Sequence, residues 1–598
     1  MITFVYLLIC LFVSLLFASP ALAASAFGAD YDVDYSVAPT GVTIVTQKVT
    51  LTNKETNLYP KQYSIAIDSE KIKNIIARDT SGLITPAISQ KDGKTTIGLI
   101  FNDQVVGLGK QTTFTLRYEN LEIASKNGSI WEIYVPGVAD DETLQSYTVS
   151  LNVPSSLGPL AYRTPAPTDG RYWNKAQMIH GGIAAAYGIS QTFALSLGYF
   201  LQNPRLTPIK EDIALPPDTA YQKVIVQSLE PKPTAINRDI DGNWLATYEL
   251  SGGQKIKIEA KLLISLTLAP KKEWKDVIPT EAYTKPLQYW ETQDPAVAQL
   301  AKRYTSPQSI YQYVVNTLSY NDDRVNQNPL RRGAVAALAT PKEAICMEFT
   351  DLFIAIARAA GIPAREVVGF AYTTNSRLRP LSLVADVLHA WPEYYDKEKQ
   401  VWVPVDPTWG NTTGGVDYFN KLDFNHIAFA IHGASSTYPY PAGAYKEESK
   451  QGKDVDVSFA QAPGPAVIGK LTTTIQFPTT ATAGRIASGR VVVVNDSGVS
   501  IDSADIAINA TPFPFSFTAN EIRIPPFAKF SYPVEIPIAS YIARGTGRVS
   551  VVVNGQAQDH AFSIVPMYWL LLPVFGIIVG SLFLIWFFVH GHLAKQSQ

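Results

Sequence analysis

Residues 341–363 read PKEAICMEFTDLFIAIARAAGIP, and this stretch decides how the middle of the chain folds. From Cys346 the apolar residues Phe349, Phe353 and Ile356 stand on one helical face. Gly361 supplies a C-terminal cap and Pro363 blocks continuation, so the spacing predicts a helix that opens at Cys346. Cys346 then lies in the first turn, where unpaired N–H groups and the helix dipole favour an anion such as the thiolate needed for attack. The chain of 598 residues holds two cysteines, and the other, Cys10, lies in an N-terminal run expected to be removed. A lone mature thiol forms no intramolecular disulfide, so Cys346 is a buried small hydrophobe, an intermolecular partner or a nucleophile.

The partners decide among these. His389 sits in LHAWPEYY and Asp406 follows 17 residues later in VWVPVDPTW, both read as strands. Antiparallel neighbours joined by the turn at 396–400 bring the two side chains together. A carboxylate on one imidazole nitrogen fixes the tautomer, and the other nitrogen can take a thiol proton. Cys346 lies 43 and 60 residues upstream of these groups.

The run AICMEFTDLFIAIARAAGIPAREVVGFAY, followed by LHAWPEYYDKEKQVWVPVDPTWG, resembles the core of the transglutaminase-like superfamily, papain-like in architecture. That resemblance implies a thiol nucleophile at Cys346, a general base and acid at His389, and an orienting carboxylate at Asp406. It also makes Tyr320, in TLSYND, a candidate oxyanion donor beside the Cys346 backbone N–H. The family has Gly two residues before the cysteine, where this chain has Ala344. Glu348 and Arg365 also match family positions, and buried structural pairing is the expected role of both. His426 and His432, in FNHIAFAIHG, are read as structural, with no ligand pattern around them; no metal and no cofactor are expected.

The rest of the chain is read from pattern. Residues 1–23 end on Ala21-Leu22-Ala23 and read as a signal peptide, although no Lys or Arg precedes Lys48. Alternation at Val45, Val49 and Leu51, at Phe114, Leu116 and Tyr118, and at Tyr147, Val149, Leu151 and Val153 predicts a β-sandwich over 27–155. Residues 156–284 read as mixed and mainly β, with DIDGN at 239–243 a hairpin turn rather than a calcium loop. The transglutaminase-like domain is placed at 285–435, opened by an N-cap and first-turn proline at Ser306-Pro307 with Ile310, Val314 and Leu318 on one face. A linker (436–456) and an Ig-like sandwich stalk (457–565) follow.

Residues 567–589 carry no charged residue, and 23 residues at 1.5 Å rise span about 34 Å. They read as one C-terminal transmembrane helix, with 590–598 as a cytoplasmic tail and the N-terminal ectodomain outside. The expected class is therefore multidomain: an α+β papain-like transglutaminase core flanked by all-β sandwiches, with a single-pass membrane helix. Fifty Lys and Arg against 52 Asp and Glu give no electrostatic case for nucleic acid. The expected activity is cysteine-dependent acyl transfer or hydrolysis of amide bonds in protein or peptide substrates, cell-wall peptides included. The alternative is an inactive binding or scaffold protein that keeps the fold.

Overall fold

The computed structural model describes residues 26–595 apart from 180, 273, 326–329, 374–378, 380–387, 414–415, 448–452 and 465–467. The expected signal segment, 1–23, lies outside the described residues. Strands account for 47% of the structure and helix for 16%, so the chain as a whole is mostly β. The expected class is corrected accordingly, and so is its membrane helix: among the described residues no helix is long and apolar enough to cross a membrane. A helix does form over Tyr568–Lys595, with Pro573 inside it.

The period-two segments near the N-terminus pair as their alternation requires. Phe27–Val37 lies between Thr43–Asn53 and Leu144–Asn152, in a seven-stranded sheet that continues through Gln111–Asn120. Val33, Val45, Val49, Phe114, Leu116 and Val149 are fully buried in its core. A four-stranded sheet (Leu160–Thr164, Ile183–Tyr187, Ile130–Val135 and Ala124–Asn127) connects this region to the helical core.

A second β region pairs Gln191–Gln202 with Lys255–Leu266 on one side and Val455–Ala460 on the other. The strand expected to open the stalk is thus drawn back across the chain into this sheet. Residues beyond it form a three-stranded and a five-stranded sheet over 471–565.

The helical core is built around Cys346–Ala359. Glu348 donates its N–H to Ile345 O at 3.0 Å and takes the Ile345 N–H on Oε2 at 3.1 Å, which closes the helix start. At the other end Gly361, at φ +77°, donates to Arg358 O and Ile362 donates to Ala357 O, the paired bonds of a Schellman cap. The helix is buried nearly all round rather than on one face. Its charged residues are therefore paired: Asp351 with Arg331 and Trp290 Nε1, Glu348 with Arg324, and Arg358 with the carbonyls of Ala282, Lys285, Ala364 and Gly433. Pro295–Arg303, Pro307–Thr317 and Ala334–Ala339 pack on it from one side.

A four-stranded antiparallel sheet packs on the other side in the order Val401–Pro404, His389–Asp396, Ala364–Ala371, His426–His432. Gly369 stands opposite both His389 and Ala428. A Cβ there would come within 1.9 Å of Ile427 O, so only glycine admits this close approach.

The second β region is bonded to the outer strand of this sheet by side chains. Gln222 takes the Ala428 N–H at 2.9 Å and gives a hydrogen bond to Ala428 O at 3.0 Å. Asn243 does the same at Ile431, at 2.7 and 2.8 Å. The DIDGN loop joins the antiparallel strands Ala235–Arg238 and Trp244–Leu250, and its Asp241 accepts the Gly433 and Ala434 N–H groups and the Tyr283 hydroxyl. Replacing Asn243 by Ala should leave two buried main-chain groups unpaired, a loss of about 1–3 kcal/mol. Amide hydrogen exchange at Ile431 should accelerate in that variant, and unchanged exchange would show that the pairing contributes nothing.

Candidate active site

Three elements bring the chemistry together. Cys346 begins its helix, His389 begins its strand, and Asp406 stands two residues past the end of Val401–Pro404. Asp406 is not on a strand as expected: it caps the short helix Pro407–Thr412. Its Oδ1 accepts the N–H groups of Thr408 and Trp409 at 2.8 and 3.0 Å. Aspartate followed by proline is an N-cap followed by a first-turn proline, and that signal was present in VDPTW. The cap leaves Oδ2 for His389, whose Nε2 lies 2.9 Å away.

The three groups are 2%, 1% and 0% exposed, in chain order. His389 Nδ1 is buried without a hydrogen-bond partner. The Cys346 thiol acts on the ring through its charge and a hydrogen-bonding contact, although Nδ1 meets no partner at full hydrogen-bond geometry. Burial works against a charged His389, but the Asp406 carboxylate, their hydrogen bond and the Cys346 thiol together push its pKa up to about 9. Burial also opposes the Asp406 charge, and the two histidines that bond it hold its carboxyl below the usual range. His389 therefore contributes stability that is complete below about pH 6.5 and lost as pH rises through 9. Asp406 contributes stability that is complete above about pH 4 and lost on acidification. Trp391 and Trp409 stack against the His389 ring at 5.9 and 5.3 Å.

The second histidine is His426. Its Nε2 is 3.2 Å from the same Asp406 Oδ2, and its Nδ1 is 2.8 Å from Asp423 Oδ1. The sequence reading left this residue as structural and did not single out Asp423; the signal available was D-F-N-H, which spaces the pair three residues apart. His432 sits elsewhere, between Glu366 Oε2 and Pro439 O. His389, Asp406 and His426 place three potential ligand atoms within 4.8 Å of one another. A cation held there would have to displace the hydrogens by which both rings bond Asp406 Oδ2.

Tyr320 pairs through an isolated bridge with Ala344, two residues before Cys346. Its hydroxyl is buried and has no hydrogen-bond partner. Burial and then the nearby thiol raise its pKa, so it remains a proton donor. Glu348 and Arg365 are both in buried pairs: Glu348 takes two bonds from Arg324, and Arg365 gives one to Glu393 at 2.7 Å.

Residues 291–407 match the transglutaminase-like superfamily. The matched segment of this transglutaminase-like core holds Cys346, His389, Asp406 and Tyr320, and it ends before Asp423 and His426. No curated protein matches the chain. Among solved structures, a Cytophaga hutchinsonii protein provisionally named a cysteine protease is 16% identical, covering 46% of this chain and 99% of its own, with a TM-score of 0.25. A CARDB domain from Pyrococcus furiosus, solved with di-metal ions, is 16% identical over 16% of this chain and 94% of its own, with a TM-score of 0.14. Scores this low carry no argument about the chemistry of the transglutaminase-like core.

Proposed function

We propose that the transglutaminase-like core is a cysteine-dependent acyltransferase or hydrolase acting on amide bonds of protein or peptide substrates. The observation that supports this reading is His389, tied to Asp406 through Nε2 while its buried Nδ1 has no hydrogen-bond partner and the Cys346 thiol acts on the ring. In the proposed reaction the Cys346 proton passes to Nδ1 and the thiolate attacks the carbonyl carbon. The tetrahedral anion is held by the Tyr320 hydroxyl and the Cys346 N–H at the helix start. His389 returns its proton to the leaving amine as the C–N bond breaks, which leaves a thioester. An amine or water then attacks the thioester and restores the thiol.

A second reading is a binding protein that keeps the fold without turnover, and the near-complete burial of Cys346 and His389 favours it. Iodoacetate labelling of the whole protein separates the two. The His389 imidazolium attracts this anionic reagent, so labelling of Cys346 should be rapid near neutral pH and fall as pH rises through about 9. Labelling that persists unchanged in His389→Ala would falsify the enzyme reading. Incubation with glutamine peptides and a tagged amine, followed by mass spectrometry, then distinguishes transfer from hydrolysis.

A further inference from the structure

Asp406 Oδ2 serves two rings, and those rings differ in a way their hydrogen bonds fix. A carboxylate only accepts hydrogen bonds. Both nitrogens of His426 contact carboxylate oxygens, Asp406 Oδ2 and Asp423 Oδ1, so both carry hydrogen and the ring is a cation. His389 makes one such contact and keeps Nδ1 unpaired, so its second proton can come and go. The shared carboxylate thus stands between a ring bonded to carboxylates at both nitrogens and a ring bonded at one, and against the cost of burial the carboxylates push the pKa of each up to about 9. Its other oxygen is held by two main-chain N–H groups and cannot turn.

We propose that His426 and Asp423 form a positioning pair behind the triad, which holds Asp406 in place and sets how much of its charge reaches His389. This inference rests on the acyl-transfer reading of the site. His426 takes up part of the Asp406 field, so His389 holds its proton less tightly than it would beside an unshared carboxylate. A general acid must release that proton to the leaving amine, and the sharing keeps it available. Asp423 keeps His426 charged, and its Oδ1 is itself fixed by the Asn425 N–H at 2.9 Å. Asn425 in turn gives its side-chain N–H to Glu132 of the four-stranded sheet near the N-terminus.

The groups facing His426 support this assignment. His389 lies 5.5 Å from it, Trp409 4.5 Å, Trp391 5.0 Å and Tyr418 6.5 Å, ring to ring. Arg379 bonds the Tyr418 hydroxyl and acts electrostatically on Asp423. The only anions in hydrogen-bond contact with His426 among the described residues are Asp406 and Asp423. Both residues of the pair lie beyond the segment that matches the transglutaminase-like family.

The test is the pH profile of Cys346 labelling by iodoacetate in the whole protein, read in wild type and His426→Gln. Glutamine cannot carry the charge, so the full Asp406 field should fall on His389 and move the alkaline inflection up by about one pH unit. An unmoved inflection in a variant that melts normally, with rapid wild-type labelling, overturns the pair alone. Wild-type Cys346 that labels no faster than a free thiol sinks the acyl-transfer reading instead. Nitrogen NMR of the histidine rings decides independently of any variant's folding. His426 should carry hydrogen on both nitrogens at pH 7 in wild type and lose one below pH 8 in Asp423→Asn, whereas a neutral wild-type ring at pH 7 overturns the proposal.

Discussion

Asp406→Asn should lower kcat/KM about 10⁴-fold on any amide substrate the tagged-amine screen yields. The reason lies in which oxygen is already engaged. Thr408 and Trp409 donate to Oδ1, so the asparagine carbonyl must stay there and its NH₂ must take the place of Oδ2. A donor then faces His389 Nε2, which has to become the acceptor. The ring hydrogen moves to Nδ1, where it blocks the nitrogen that takes the thiol proton. The helix cap survives, while the same NH₂ faces His426 Nε2 and costs that ring its hydrogen bond, so chemistry stops in a protein that is folded but less stable. Activity within tenfold of wild type would show that Asp406 does not set the tautomer.

Glu348→Ala should destabilise the core by about 3–5 kcal/mol, the effect of breaking a buried ion pair from one side. Glu348 takes bonds from both terminal nitrogens of Arg324, at 2.6 and 3.0 Å, and from the N–H groups of Ile345 and Arg332. Removing it strands a guanidinium that is buried with its partner and opens the first turn of the helix that begins with Cys346. Urea unfolding followed by tryptophan fluorescence measures the change. An Arg324→Met substitution added to Glu348→Ala should recover part of the loss, because the unpaired charge goes with it. A loss under 1 kcal/mol in Glu348→Ala would place the weight of that helix start elsewhere.

Much of the site was legible because its signals are local. The helix at Cys346 follows from apolar spacing and from Gly361 before Pro363, and His389 from its place in LHAWPEYY, which reads as a strand. Asp406 was found, but as a strand residue, since the capping signal in D-P-T was subordinated to the apolar run before it. Asp423 was not singled out, and the bond from His426 to Asp406 was not legible because it reaches across two strands of the sheet. The same limit applies to Val455–Ala460, whose partner Gln191–Gln202 lies more than 250 residues earlier. The charge-free run at 567–589 reads as a membrane span, whereas among the described residues no helix is long and apolar enough to cross one.

The paired amides of Gln222 and Asn243 have a consequence for solubility. His426–His432 is the last strand of its sheet, and a bare outer strand offers its main-chain groups as a template on which another chain can add. Each amide presents one donor and one acceptor, as a neighbouring backbone would, and so occupies that template from within the same molecule. Excised from the second β region, residues 285–435 should therefore associate strand to strand, because the partner that closes the sheet is encoded some 200 residues upstream.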